Sequence, residues 1–180
     1  TAVGYQAGLS NTTGINNTLV GRTAGQYVST GQQNTFVGSL AGQGNGSALT
    51  TGNSNVAVGY NSGVSLQGAS EQNTFLGAHS GNTTTTGVAN TIIGYNCEAQ
   101  DATATQQIVI GHEFNGTADN AVHIGNNTSH IRCDFNADQT WDASSDRRQK
   151  KDIKQSELGL DFINDLRPVK YKHKSPSEFP

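Results

Sequence analysis

The stretch from Ser144 to Ile153, SSDRRQKKDI, places two serine hydroxyls beside four crowded cations. A serine hydroxyl attacks a carbonyl only with a base to take its proton, and a lysine serves as that base only when its pKa falls well below the solution value. Arg147, Arg148 and Lys151 press like charge on Lys150, and burial at a junction between chains would add desolvation in the same direction. On an extended strand residues five apart point to opposite faces, so Ser145 and Lys150 meet only if the segment folds back or a neighbouring chain donates the lysine. Cutting would then depend on assembly. The same residues also admit a structural reading, in which Asp146 caps a turn and the basic run is a solvated face.

Elsewhere the residue types that carry chemistry are scattered. The run GQGNG, Gly42 to Gly46, has the glycines of a phosphate-cradling loop but neither its lysine nor its strand-to-helix setting, and is read as turn chemistry. Cys97 and Cys133 are too few and too far apart for a zinc site, and Cys97 is expected to be a buried thiol. His79, His112, His123 and His130 are dispersed; a histidine tripled about a threefold axis could hold a metal, but packed or solvated rings are the expectation, so no metal and no cofactor is assigned. The acids Glu71, Glu98, Asp101, Glu113 and Asp119 fall among loops rather than as the paired carboxylates that glycoside hydrolysis requires. Triplets such as Asn82-Thr83-Thr84 follow from an Asn- and Thr-rich composition and do not by themselves imply glycosylation.

Charge separates the two ends of the chain. Residues 1–144 hold two basic and eight acidic residues, a net of −6, whereas 145–180 hold nine basic and six acidic, a net of +3. An acidic body lacks the clustered Lys and Arg that phosphate contacts need, which excludes nucleic acid as a partner. No apolar run is long enough to span a bilayer, so membrane insertion is not expected. The prolines, Pro168, Pro176 and Pro180, all lie near the C-terminus, leaving a long stretch in which nothing interrupts a strand ladder.

What must position any site is a repeat. The phrase NTFVGSLAG, Asn34 to Gly42, returns as NTLVGRTAG, NVAVGYNSG, NTFLGAHSG and NTIIGYNCE. Aligned on Gly4, Gly21, Gly38, Gly59, Gly77, Gly94, Gly111 and Gly125, the spacings are 17, 17, 21, 18, 17, 17 and 14. An aliphatic column precedes these glycines, Val3, Val20, Val37, Val58, Leu76, Ile93, Ile110 and Ile124, and is read as core. Two residues earlier stand Thr1, Thr18, Thr35, Val56, Thr74, Thr91, Ile108 and Val122, on the same face of an extended strand. The position between, which would ordinarily face water, reads Ala2, Leu19, Phe36, Ala57, Phe75, Ile92, Val109 and His123. Both faces are therefore mostly apolar: one should fill the coil and the other meet another copy of the chain.

Small residues three places after the glycine, Ala7, Ala24, Ala41, Ser62, Ser80 and Cys97, suit a narrow coil with a second strand close to the first, and the glycine that usually follows supplies a turn. These features predict a parallel β-solenoid, with coils stacked at about 4.8 Å to give a rod of roughly 38 Å. Asn17, Asn34, Asn55, Asn73 and Asn90 should stack into an amide ladder. The longest spacing places extra residues in Gln43 to Ser54, which should protrude.

Over residues 1–125 this pattern resembles the head domains of trimeric bacterial adhesins and the repeat shafts of phage tail fibres, β-rolls built as homotrimers. After Asn126 the register is lost, and 126–143 reads as a connector with short strands. Beyond it Ser156 is a candidate helix N-cap, Leu158, Phe162, Ile163 and Leu166 share a helical face, and Pro168 ends the helix. A basic strand, Val169 to Lys174, follows.

The order of Ser145-Asp146-x-Arg148-x-Lys150, an isoleucine, a helix ending in Leu-Arg-Pro-Val and a basic Tyr-containing strand resembles the start of the C-terminal intramolecular chaperone of phage tail spikes, endosialidases and the myelin regulatory factor. In that family the domain trimerises the preceding β-structure and then cuts the chain beside the serine. The resemblance implies Ser145 as nucleophile, Lys150 as its base and Asp146 in support, at most a single-turnover self-cleaving serine endopeptidase of Ser-Lys type. Gln149 departs from it, standing where the family usually has an apolar residue, and residues 144–180 are too few for the whole domain with its long helices.

The sequence is thus read as an all-β protein, a parallel β-solenoid (β-roll) forming a homotrimer, with a small α/β C-terminal segment: shaft at 1–125, connector at 126–143 and an incomplete chaperone domain at 144–180. The expected function is that of a virion tail fibre or spike, extracellular, attaching to a host receptor or glycan and joined to other tail proteins. A bacterial trimeric surface adhesin is the alternative, and a polysaccharide-degrading tailspike the third choice. An ice-binding solenoid fits less well, since Thr83 to Thr86 falls in a loop rather than a flat array.

Overall fold

The computed structural model describes residues 1–136 and 142–143. The chain divides into two units, Thr1–Ser145 and Asp146–Pro180, and the described residues belong to the first. The helix and basic strand expected after Ser156 lie outside the described residues.

Short strands recur once per repeat: β1 (Ala2–Val3), β2 (Thr18–Val20), β3 (Thr35–Val37), β4 (Val56–Val58), β5 (Thr74–Leu76), β6 (Thr91–Tyr95), β7 (Ile108–His112) and β8 (Ala121–Gly125). Each pairs with the next in parallel, forming one wall of a β-solenoid of about seven turns, and no helix occurs among the described residues. The register is the one the glycine spacing dictates: Thr35 pairs with Val56 and Phe36 with Ala57 across the longest repeat, and Gly94 pairs with Gly111. Beyond β8 the direction reverses. β9 (His130–Asp134) pairs antiparallel with β8, and β10 (Asp142–Ala143) antiparallel with β9.

The interior is filled by the column between, at the position that would ordinarily face water, and not by the aliphatic column read as core. Leu19, Phe36, Ala57, Phe75, Ile92, Val109 and His123 are buried, nearly all completely, while Val20, Val37, Val58, Ile93 and Ile110 on the alternate face are only half-buried and Val3 and Leu76 are exposed. The reason is volume. Ala57 sits between Phe36 and Phe75 in the ladder, so a small side chain makes room for two rings, an interdigitation that the uniform Val, Leu and Ile column cannot supply.

The wall opposite the strands is made of turns and isolated bridges, not of the second strand expected there. Ala24, Ala41, Ser62, Ser80 and Cys97 are fully buried beneath it, as narrowness requires. The glycine that follows does two jobs at Gly81: its φ is +60°, and a Cβ there would lie 2.6 Å from the Phe75 ring. Bridges Val28↔Thr50, Thr50↔Gly68 and Val88↔Thr105 tie neighbouring coils along this side.

The amide ladder forms. Asn55 Nδ2 donates to Asn34 Oδ1, Asn73 Nδ2 to Asn55 Oδ1 and Asn90 Nδ2 to Asn73 Oδ1, each at 3.0 Å. The same Nδ2 groups donate across the coil to Ser70, Gly87 and Ala104 carbonyls, and each Oδ1 also takes a backbone N–H from the next rung. Gln107, whose N–H donates to Asn90 Oδ1 at 3.1 Å, continues the column. Buried amides with both ends satisfied stabilise the stack where a lone buried amide would weaken it.

Candidate functional site

The outward face of β1–β8 is left partly open by the described residues. Along it run two columns two residues apart, one beginning at Thr18 and Thr35 and ending in Ile108, the other Val3, Val20, Val37, Val58, Leu76, Ile93 and Ile110. Leu76 is 47% exposed although Phe75 beside it is fully buried, while at the end rung both Ala2 and Val3 are exposed. Stacked at about 4.8 Å, the rungs make a strip about 34 Å long. The second column is aliphatic throughout while the first is threonine at Thr18, Thr35, Thr74 and Thr91, and a partly exposed aliphatic row of this kind marks a surface that packs against something. The strip carries no charged side chain among the described residues of these columns.

Beside it stands an aromatic stripe that the column reading overlooked. The His79 ring lies edge-on to Tyr60 at 5.3 Å and to Tyr95 at 6.1 Å, and Tyr95 stacks on His112 at 5.5 Å. Tyr60 and Tyr95 are half exposed, and Tyr5 is 69% exposed. The signal is present one residue after four of the eight repeat glycines, where Tyr5, Tyr60, Tyr95 and His112 stand, with His79 one place further on in its own repeat.

At the last rung a polar cluster replaces the apolar stack. His123 is fully buried in the interior column, its Nε2 accepting from the Thr117 N–H at 3.2 Å. Arg132 lies directly opposite on β9, with His130 two residues before it on the same face. Phe114 packs between the two rings, its centroid 6.2 Å from His123 and 4.9 Å from His130. Burial lowers the His123 pKa to about 4, and the nearby Arg132 and His130 act in the same direction, against a smaller opposing effect from Asp134. Asp134 instead pairs with Arg132 at 3.1 Å.

Glu98 and Asp119 are each committed to the preceding coil, and Asp101 to its own turn. Glu98 accepts from the Asn82 and Thr83 N–H groups, both at 3.1 Å, and from the Thr83 hydroxyl at 2.8 Å; burial nevertheless raises its pKa. Asp119 accepts from Thr105 N–H and Gln107 Nε2, and the Thr105 bond lowers its pKa. Cys97 and Cys133 are both free and buried, and burial pushes the Cys97 thiol up, away from reactivity. Among the described residues no group of three or more His, Cys, Asp or Glu could hold a metal, and no helix is long and apolar enough to cross a membrane.

Ser145, Asp146 and Lys150 lie outside the described residues, so their mutual geometry is not part of this site. The comparisons with known proteins bear on that segment. Neither the curated proteins nor the solved structures contain a significant match to the chain. Residues 145–179 match the family model described as the chaperone of endosialidase, a peptidase family, and the strand ladder that precedes them is the β-solenoid described above.

Proposed function

We propose that the chain is a homotrimeric fibre or spike protein of a virion tail, used in host attachment, whose C-terminal segment drives trimer assembly. The observation that carries this reading is the outward apolar face of β1–β8, closed on one side by its own core and open on the other. Three copies packing these strips together would remove them from water along their whole length. The match of residues 145–179 to the chaperone of endosialidase supports trimer assembly, and supports a phage-associated tail protein over the same plan on a bacterial surface. The separate commitments of Glu98 to Asn82 and Thr83 and of Asp119 to Thr105 and Gln107 argue against a polysaccharide-degrading spike.

Self-cleavage belongs to the same proposal. Ser145 attacks a neighbouring peptide carbonyl, Lys150 takes its proton and returns it to the leaving amine, and Asp146 supports the arrangement; water then releases the acyl group. Native mass spectrometry of the full chain beside a Ser145→Ala variant tests both parts. The expected result is a trimer in both and a cut chain only in the wild type. Identical uncut masses would remove the peptidase and leave a passive trimerisation segment, and a single well-folded copy would end the fibre reading.

A further inference from the structure

The longest repeat does more than protrude. In it Asn45, Gly46, Ser47 and Leu49 are exposed, Thr50 returns to full burial, and a bridge from Asn45 to Ala48 closes a small hairpin. This hairpin forms one side of an open groove of about 430 Å³ whose other side is the Tyr27 ring and whose floor is Val64, Ser65 and Gln67 of the next coil. That volume lies in the range of small-molecule sites, a few hundred to about 1,000 Å³.

Register explains why the groove is there. The residue six places after the repeat glycine reads Ser10, Tyr27, Gly44, Ser65, Thr83, Gln100 and Thr117, so Tyr27 is the one aromatic side chain in the column and its neighbours on either side are small. Backbone bonds from Tyr27 N–H to Gln43 O and from Gly44 N–H to Val64 O hold these coils in step. Gly44, at φ +81°, thus sits one coil below Tyr27, where a Cβ would lie 2.9 Å from the Thr50 hydroxyl and 3.2 Å from Tyr27 Cβ, so only glycine lets the two coils close up here. A Cβ on Gly46 would lie 3.0 Å from the same ring.

The polar groups in the groove are amides and hydroxyls. Gln43 spends its Nε2 on Gln26 Oε1 at 2.8 Å, which leaves its oxygen as an acceptor; Asn45 spends Oδ1 on the Ser47 N–H at 2.9 Å, which leaves its amide as a donor. Gln67 and Thr85 add one amide and one hydroxyl, and no residue lining the groove is charged. One aromatic wall, fixed donors and acceptors of both kinds and no charge suit a neutral polyhydroxylated ring: its C–H face lies on the electron-rich aromatic face and its hydroxyls bond the amides.

We propose that this groove binds a neutral saccharide unit, with Tyr27 as the stacking platform and Gln43, Asn45 and Gln67 as the hydrogen-bonding set. The inference rests on the attachment reading and gives it a ligand class and a place. Saturation-transfer NMR on the full chain tests it, with maltotetraose, cellotetraose, mannotetraose and N-acetylchitotetraose as neutral probes and tetragalacturonate as the charged one. The expected result is transfer to at least one neutral probe and none to tetragalacturonate. Affinity for that probe should fall about tenfold or more in Tyr27→Ala and in Gly46→Val, which fills the groove without removing the ring. Trimer mass and thermal midpoint, measured on the same samples, show that both variants still fold. Transfer to none of the neutral probes, preference for tetragalacturonate, or undiminished binding in folded Gly46→Val overturns the saccharide site. Any of these in a trimer of unchanged mass leaves the fibre reading standing, whereas a monomeric wild type strikes that reading and not this one.

Discussion

The two faces of one sheet differ in a way that hydropathy alone conceals. Inward, the column runs Leu19, Phe36, Ala57, Phe75, Ile92, Val109 and His123, varied in size and buried; outward, it runs Val20, Val37, Val58, Leu76, Ile93 and Ile110, uniform in size and partly exposed. A packed interior must fit large against small within one chain, while a face meeting identical copies needs flat, repeated surface. Variation in volume, more than apolarity, separates self-packing from partner-packing.

The inner side should be the more fragile. The largest loss is expected from Phe36→Ala, which empties a fully buried ring site: about 3–5 kcal/mol, read as a fall in the denaturation midpoint of the chain. A loss under about 1 kcal/mol would show that the coil collapses around the gap and that the inner column is not jigsaw-packed. Asn55→Ala comes next. It strips Asn73 of the acceptor for both its N–H and its Nδ2 and leaves the Ser70 carbonyl without a donor, for about 2–4 kcal/mol in the same measurement.

The third prediction concerns the polar end of the inner column. The folded His123 pKa, about 4, lies below the ordinary value of 6.5, so the unfolded chain binds more protons between these limits. The stability associated with neutral His123 is therefore complete above pH 6.5 and is lost as pH falls towards 4, a difference on the order of 2–3 kcal/mol. Glu98, with its raised pKa, pulls the other way at the acid end of this window. His123→Leu should flatten the decline in chemical denaturation followed across the window; an unchanged slope would place the acid sensitivity elsewhere.

The smallest effect on the single chain, and the most informative about the outer face, is expected from Val37→Asp. This half-buried outward residue should cost the isolated fold under about 1 kcal/mol while reducing the trimer fraction in light scattering. A trimer that forms undiminished would mean that the outer strip is not where copies meet.

Much of this architecture is legible in the sequence. The glycine alignment alone fixes the pairing of Thr18 with Thr35 and of Val58 with Leu76, because a parallel ladder admits one register once equivalent residues stack. The asparagine column was legible for the same reason. Which face turns inward was not, since a period of two is symmetric when both sets are apolar; the Phe36, Ala57, Phe75 alternation carried the answer and was passed over. Gln107 was missed as the sixth member of the ladder because it is not asparagine, yet its N–H occupies the same place. The Tyr27 groove was half visible: the insertion stood out by length, but the ring it faces belongs to the previous repeat. Ser145, Asp146 and Lys150 remain a reading of spacing and resemblance.

A parallel stack has an inherent hazard, in that its terminal rung presents to solvent the same unpaired N–H and C=O groups that every internal rung offers its neighbour. The reversal at β9 turns the chain back across that rung, and among the described residues the sheet ends instead on β10, two residues long and opening with Asp142. An antiparallel closing pair does not offer the parallel template on which a further coil would stack, so that extremity is a poor seed for end-to-end growth.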